Sequence, residues 1–170
     1  MAEVVFVLGG ARSGKSRYAQ SCAERLASQR IFVATAEPFD DEMAQRIARH
    51  QADRGQGWKT VEAPLDVASA ISVHACLNTV CLVDCLTLWL SNVMHTDRDV
   101  ASEIKELCLS FLEAKGPVVV VSNEVGLGLV PETPLGRDFR DAQGWLNQEV
   151  AAMSDRVEFI AAGLPITLKS

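Results

Sequence analysis

The sequence predicts one α/β domain, a mostly parallel sheet wound by helices on both faces. Three observations carry this reading. Short runs rich in β-branched residues alternate with helical patterns along the chain. The first of these runs feeds a glycine-rich turn that opens directly into a helix. The length, 170 residues, is enough for a sizeable core and short of two ordinary domains.

Each element follows from its residues. Val4-Val5-Phe6-Val7-Leu8 is a continuous apolar run, as expected of a strand buried on both faces. Ser16–Ala27 reads as a helix with Ala19, Ala23 and Leu26 on one face, and Ile31–Ala34 as a second strand. Asp40-Asp41-Glu42 opens another helix with an acidic first turn, carrying Met43, Ile47 and His50 at helical spacing. Asp53–Gly57 is a polar breaker before a short strand at Trp58–Val61. Asp66–Leu77 is predicted helical, and Thr79–Val83 is a strand ending in Asp84. Helices over Leu86–Met94 and Asp99–Glu113 precede the strand Val118–Val121. A long connection from Asn123 to Pro134, with Gly126, Gly128, Pro131 and Pro134, follows; loops of that length in compact domains are usually functional or disordered, and its apolar content argues against disorder. A helix over Leu135–Met153 and strands at Val157–Ala161 and Ile166–Leu168 complete the chain. No internal repeat, low-complexity tract or linker interrupts this order, so residues 1–170 read as one domain.

Composition narrows the function classes. With 48% hydrophobic and 22% charged residues the chain is globular in type, which excludes general disorder. A net charge of −6 without a basic run argues against a nucleic-acid partner, so phosphate is expected on a small molecule. No apolar stretch approaches the length of a membrane span. Met1–Val7 leads straight into a strand without a basic leader, so no signal peptide is visible. Five cysteines (Cys22, Cys76, Cys81, Cys85, Cys108) without a CxxC pair are expected to be buried, reduced thiols of a cytoplasmic protein.

Gly9-Gly10-Ala11-Arg12-Ser13-Gly14-Lys15-Ser16 matches G-x-x-x-x-G-K-[ST] in the required context, after a buried strand and before a helix. Glycines let backbone N–H groups point inward around phosphate oxygens, and the helix N-terminus adds partial positive charge. Lys15 is placed to contact the β/γ-phosphates and Ser16 to ligate Mg²⁺. Asp84, ending a hydrophobic strand, has two readings: a second Mg²⁺ ligand, or the N-cap of the helix that follows. No [NT]KxD guanine-specificity motif follows, which weakens a switch-type GTPase reading.

Among the three histidines, His74 reads as an ordinary helix residue and His95 as a turn residue. His50 ends a helix that starts just past the second strand, beside the polar Gln51-Ala52-Asp53-Arg54. A neutral imidazole there can attack an α-phosphorus with pyrophosphate leaving; a packed core-edge histidine explains the same spacing. Asn123-Glu124 lies at the carboxyl edge, where α/β domains bind ligands, and alternatively is only a loop acid. Arg137, Asp138, Arg140 and Asp141 form a mixed-charge helix start, with Arg137 or Arg140 a weaker candidate for a second phosphate.

At these residues the sequence resembles the bifunctional adenosylcobinamide kinase/adenosylcobinamide-phosphate guanylyltransferases of cobalamin biosynthesis. The resemblance covers essentially the whole chain. It rests on Gly9–Ser16, Ala34-Thr35-Ala36, Asp40-Asp41-Glu42-Met43 with Arg46-Ile47 and His50, Trp58-Lys59-Thr60-Val61-Glu62, and Asp84-Cys85-Leu86-Thr87. It rests also on Ser122-Asn123-Glu124-Val125-Gly126-Leu127-Gly128-Leu129-Val130-Pro131 and its spacing to Arg137-Asp138-Phe139-Arg140-Asp141. Some members carry a second histidine just before the reactive one, where this chain has Arg49.

The resemblance implies a P-loop NTPase domain with a RecA-like sheet. It implies that ATP or GTP phosphorylates adenosylcobinamide, and that GMP from GTP then passes through a guanylyl-histidine, matching His50, to give adenosylcobinamide-GDP. Implied nucleotide contacts fall on Gly9–Ser16, Ala34, Thr35, Ala36, Gln51, Ala52, Asp53, Arg54, Glu62 and Asp84. Mg²⁺ at Ser16 and Asp84 and a homotrimer are implied likewise. The rival readings are a single-activity P-loop small-molecule kinase, for which His50 is a bystander, and a non-enzymatic NTP-dependent switch that moves the Asn123–Pro134 loop.

Overall fold

The computed structural model describes residues 2–36 and 55–170. In chain order these form β1 (Val4–Gly9), α1 (Lys15–Leu26), β2 (Gln29–Ala34), β3 (Trp58–Glu62), α2 (Val67–His74), β4 (Thr79–Asp84) and α3 (Leu86–Met94). There follow α4 (Val100–Glu113), β5 (Val118–Asn123), α5 (Pro134–Met153), β6 (Arg156–Ala161) and β7 (Leu164–Lys169). All seven strands join one sheet in the order β3-β2-β4-β5-β1-β6-β7. Every pairing is parallel except β6 with β7, which closes one edge as an antiparallel hairpin.

The apolar run of β1 is explained by its place inside this sheet. Val5, Phe6 and Val7 are fully buried, Val4 and Phe6 on one face and Val5 and Val7 on the other. Among the described residues the two faces are covered unequally. Helices α2 to α5 pack over the first face through residues such as Ile71, Trp89, Phe111 and Leu146. On the second, α1 contributes Ala19, Cys22 and Ala23. Small residues let that helix sit close to the strands that flank its own loop.

Local chemistry fixes the boundaries. Asp99 caps α4 by accepting from the Ser102 N–H at 2.8 Å, and Thr133 caps α5 by accepting from the Gly136 N–H at 3.1 Å. Pro134 then occupies the first helical turn of α5, where its missing N–H costs nothing. Helix α2 ends at His74, short of the expected Leu77. A turn intervenes in which the Thr79 N–H donates to the Cys76 carbonyl, with Asn78 in the left-handed region at φ 66°. Asparagine tolerates that conformation, and it aims the chain into β4. That turn also corrects the reading of the cysteines: all five are free thiols, but Cys76 is exposed while Cys22, Cys81, Cys85 and Cys108 are buried. Strand β7 begins at Leu164, earlier than Ile166, because pairing with Ala161 and Ile160 extends the hairpin to its turn. The helix expected from Asp40 lies outside the described residues.

Candidate active site

The phosphate loop joins β1 to α1 across the carboxyl edge of the sheet. Gly14 stands at the cap position of α1 with φ 98°, a conformation glycine adopts without penalty. Among the described residues no side chain caps this helix and no acidic residue lies in its first turn, so no acid there opposes an anion at its positive dipole end. Gly9 is required for a different reason: a Cβ there would lie 2.5 Å from the Ile160 carbonyl oxygen on β6. Lys15 is buried, its Nζ donating to the Gly10 carbonyl at 2.5 Å, so the cation is already held across the loop. The Ser13 Oγ is buried without a protein hydrogen-bond partner among the described residues, an orphaned polar atom inside the cradle.

The loop is braced from outside by the β6–β7 turn. The Gly163 N–H donates to the Ser13 carbonyl at 2.8 Å, and a Cβ on Gly14 would come within 3.3 Å of the Gly163 Cα. Sequence spacing gave no sign of this contact, because residues 13 and 163 meet only through the sheet.

Register assembles the rest of the edge. Ala34 pairs with Glu62 on one side and Asp84 on the other, and Asp84 pairs with Val121, so these residues lie in one row. Gly9 pairs with Asn123 two residues further along the strands. Asp84 is half-buried and is not a helix cap: the cap position of α3 is Cys85, which makes no side-chain capping bond. Ser16 and Asp84 are oxygen donors, the set that suits Mg²⁺. Thr35 is fully buried. Its hydroxyl donates to the Cys85 carbonyl and accepts from the Cys85 N–H, both at 2.8 Å, while its carbonyl accepts from Asn92 Nδ2. It therefore ties the end of β2 to the residue after Asp84.

A buried amide network fixes the end of β5. Ser122 Oγ donates to Asn147 Oδ1 at 2.8 Å, and Gln143 Nε2 donates to both of those oxygens at 3.0 Å. Asn147 Nδ2 reaches the Asn123 carbonyl at 3.1 Å, and the Asn123 N–H donates to Thr87 Oγ1 at 2.9 Å. The next N–H, that of Glu124, donates to the Gly9 carbonyl at 3.0 Å. The Asn123-Glu124 pair is thus placed directly beside the phosphate loop. Sequence reasoning named Thr87 only within a motif, without a role, and missed Gln143 and Asn147. The available signal was Gln143 and Asn147 at i, i+4 on the face that also carries Ala142, Leu146 and Val150.

Other expected residues sort differently. Glu62 is at the same edge and exposed. Arg137 Nη1 is engaged by the Pro131 and Glu132 carbonyls at 3.0 and 2.8 Å, which makes it a clamp on the connection. Arg140 pairs with Asp141 at 3.7 Å. His95 is exposed at the end of α3, its Nδ1 2.6 Å from the Ser91 carbonyl, and His74 closes α2. His50, Gln51, Ala52, Asp53 and Arg54 lie outside the described residues. An apolar groove of about 920 Å³ between α4 and α5, lined by Ile104, Leu112 and Trp145 among others, shares no residue with the phosphate loop.

Comparison with known proteins identifies the context of this edge. The profile of the family described as cobinamide kinase / cobinamide phosphate guanyltransferase matches residues 5–168. The chain belongs to that family. Among relatives of this kinase/guanyltransferase family, the bifunctional adenosylcobalamin biosynthesis protein CobP of Pseudomonas aeruginosa is 44% identical over 165 residues, covering 96% of this chain and 95% of the relative. The corresponding protein CobU of Escherichia coli is 35% identical, covering 98% and 99%. Among solved structures the RadB recombinase superposes with a TM-score of 0.55 at 14% identity, over 92% of this chain and 73% of that one. That likeness concerns the fold, which is RecA-like. No helix among the described residues is long and apolar enough to cross a membrane.

Proposed function

We propose that this chain phosphorylates the aminopropanol hydroxyl of adenosylcobinamide with ATP or GTP, then transfers GMP from GTP to the phosphate so formed, releasing adenosylcobinamide-GDP. The observation that carries the proposal is the complete phosphate loop at the carboxyl edge in a chain matching the family from residue 5 to residue 168. Residues 1–170 act as one catalytic domain, in the cytoplasm and as a homotrimer.

In the first reaction Lys15 exchanges the Gly10 carbonyl for the β/γ-phosphates, and the N–H groups of Gly9–Ser16 surround the phosphate oxygens. Ser16 and Asp84 would hold Mg²⁺, which would supply charge neutralisation for the transferring phosphoryl group. In the second reaction the His50 imidazole attacks the α-phosphorus of GTP, the P–N bond forms and pyrophosphate leaves. A phosphate oxygen of adenosylcobinamide phosphate then displaces the imidazole. Ala34–Ala36, Gln51–Arg54 and Glu62 contact the nucleotide.

The test is a product analysis. Incubated with adenosylcobinamide, Mg²⁺ and ATP, the chain should yield adenosylcobinamide phosphate, and addition of GTP should convert this to adenosylcobinamide-GDP with one pyrophosphate per turnover. Accumulation of the monophosphate without conversion by GTP would reduce the protein to a simple small-molecule kinase.

A further inference from the structure

Glu124 plays no part in the reactions as described so far, yet it is among the most firmly placed acids at the carboxyl edge. Its N–H is bonded to Gly9, the first residue of the phosphate loop, at 3.0 Å. The preceding residue, Asn123, has its N–H held by Thr87 and its carbonyl held by Asn147. Asn147 is locked in turn by Ser122 and Gln143, all three buried. The half-buried side chain folds back so that Oε1 accepts from the Gly126 N–H. That bond orients the carboxylate and uses one of its oxygens.

A carboxylate fixed beside a triphosphate cradle is electrostatically unfavourable unless it meets a cation or a proton. Ser16 and Asp84 already supply the oxygen donors for a cation, and Asp84 ends β4, one strand further from β1 and its loop than β5, which Glu124 directly follows. An acceptor hydroxyl, by contrast, must approach the γ-phosphorus from the open edge, and it carries a proton that has to leave.

We propose that Glu124 is the proton acceptor for the substrate hydroxyl in the phosphoryl-transfer reaction. The inference rests on the kinase half of the proposed function. The hydroxyl oxygen forms the new O–P bond as the bond from the γ-phosphorus to the β,γ-bridging oxygen breaks. The electron pair leaves with the nucleoside diphosphate, and the hydroxyl proton passes to the Glu124 carboxylate and on to water. Guanylyl transfer makes no such demand, because its acceptors are an imidazole nitrogen and a phosphate oxygen.

The family's two activities therefore provide an internal control for Glu124→Gln, which keeps an Oε1 acceptor for Gly126 and removes the basic oxygen. Phosphorylation of adenosylcobinamide by MgATP and guanylyl transfer from GTP to preformed adenosylcobinamide phosphate are measured on the same preparations. We expect kcat for phosphorylation to fall roughly 100-fold or more, the scale of a lost general base, with the KM for ATP within about threefold. The phosphorylation loss should exceed the guanylyl-transfer loss by at least about 30-fold. A phosphorylation loss of less than about tenfold, or equal losses in both reactions, would overturn the assignment. A wild-type chain that transfers GMP but never phosphorylates would overturn the kinase reading itself, and this inference with it.

Discussion

Asn123 ends β5 and Leu129 lies in the connection that follows it, yet the two are held in opposite ways. Asn123 has both backbone groups bound by buried side chains, whereas Leu129 is 96% exposed and Leu127 83%. The first stretch adjoins the phosphate loop, and its bonds are made by residues from α3 and α5. Beyond it the apolar side chains face outward until Arg137 gathers the Pro131 and Glu132 carbonyls. Groups that act on a phosphorus must be held within a fraction of an ångström, so the chain there is tied down. One short segment thus joins a tied half to an open one.

The tied half is disrupted most directly at Asn147. Asn147→Leu removes the acceptor of the Ser122 hydroxyl, one of the two acceptors of Gln143 Nε2 and the side-chain donor to the Asn123 carbonyl, leaving of this network only the bond from Gln143 Nε2 to Ser122 Oγ. We expect a destabilisation of about 2–3 kcal/mol, read as a fall in Tm on the order of 4–12 °C, because buried polar groups then go unsatisfied. Thr87→Val removes a single acceptor, that of the Asn123 N–H, and should cost about 1–2 kcal/mol in a urea titration. Substitution in the open half should scarcely register: Leu129→Ser is expected to change stability by less than about 0.5 kcal/mol. A large effect from Leu129→Ser, or none from Asn147→Leu, would mean that the two stretches are not organised as described.

Thiol chemistry sharpens the same contrast at lower amplitude. The Cys85 thiol is pushed up to about 11, first by burial and then by the neighbouring Asp84 charge, and burial pushes Cys81 up to about 12. Alkylation near pH 8 followed by mass spectrometry should therefore label exposed Cys76 well before either. These raised values also set a sign for stability. Above roughly pH 8.5 the unfolded thiols ionise while the native ones remain protonated, so stability is fully present below that pH and falls as pH rises towards 11.

The parts of this arrangement legible in the sequence were those encoded over short spans. The phosphate loop announces itself by spacing, and β1 by a run of residues that only a doubly covered strand can bury. Asp84 is legible as the end of an apolar run, although only the structure moves the cap to Cys85. The amide network was not legible, because Ser122 and Asn147 are 25 residues apart and meet only when α5 docks on the sheet. The same holds for Gly163 against Ser13, separated by nearly the whole chain. Cys76 was misjudged because its burial depends on where α2 stops, and an asparagine in the left-handed region decided that.

One phosphate cradle is proposed to serve two chemistries, with His50 needed for only one of them. The direct measurement is covalent labelling by α-labelled GTP in the wild type, His50→Ala and Lys15→Ala, with adenosylcobinamide phosphorylation assayed in parallel. The wild type should carry an acid-labile, base-stable label that weakens as pH falls through the histidine range, near 6.5 for an unperturbed imidazole. Lys15→Ala should lose both reactions by about 2–4 kcal/mol of transition-state stabilisation, whereas His50→Ala should lose the label and keep measurable phosphorylation. Covalent GMP on the His50→Ala protein, or equal loss of both reactions in that variant while it remains folded, would contradict the account.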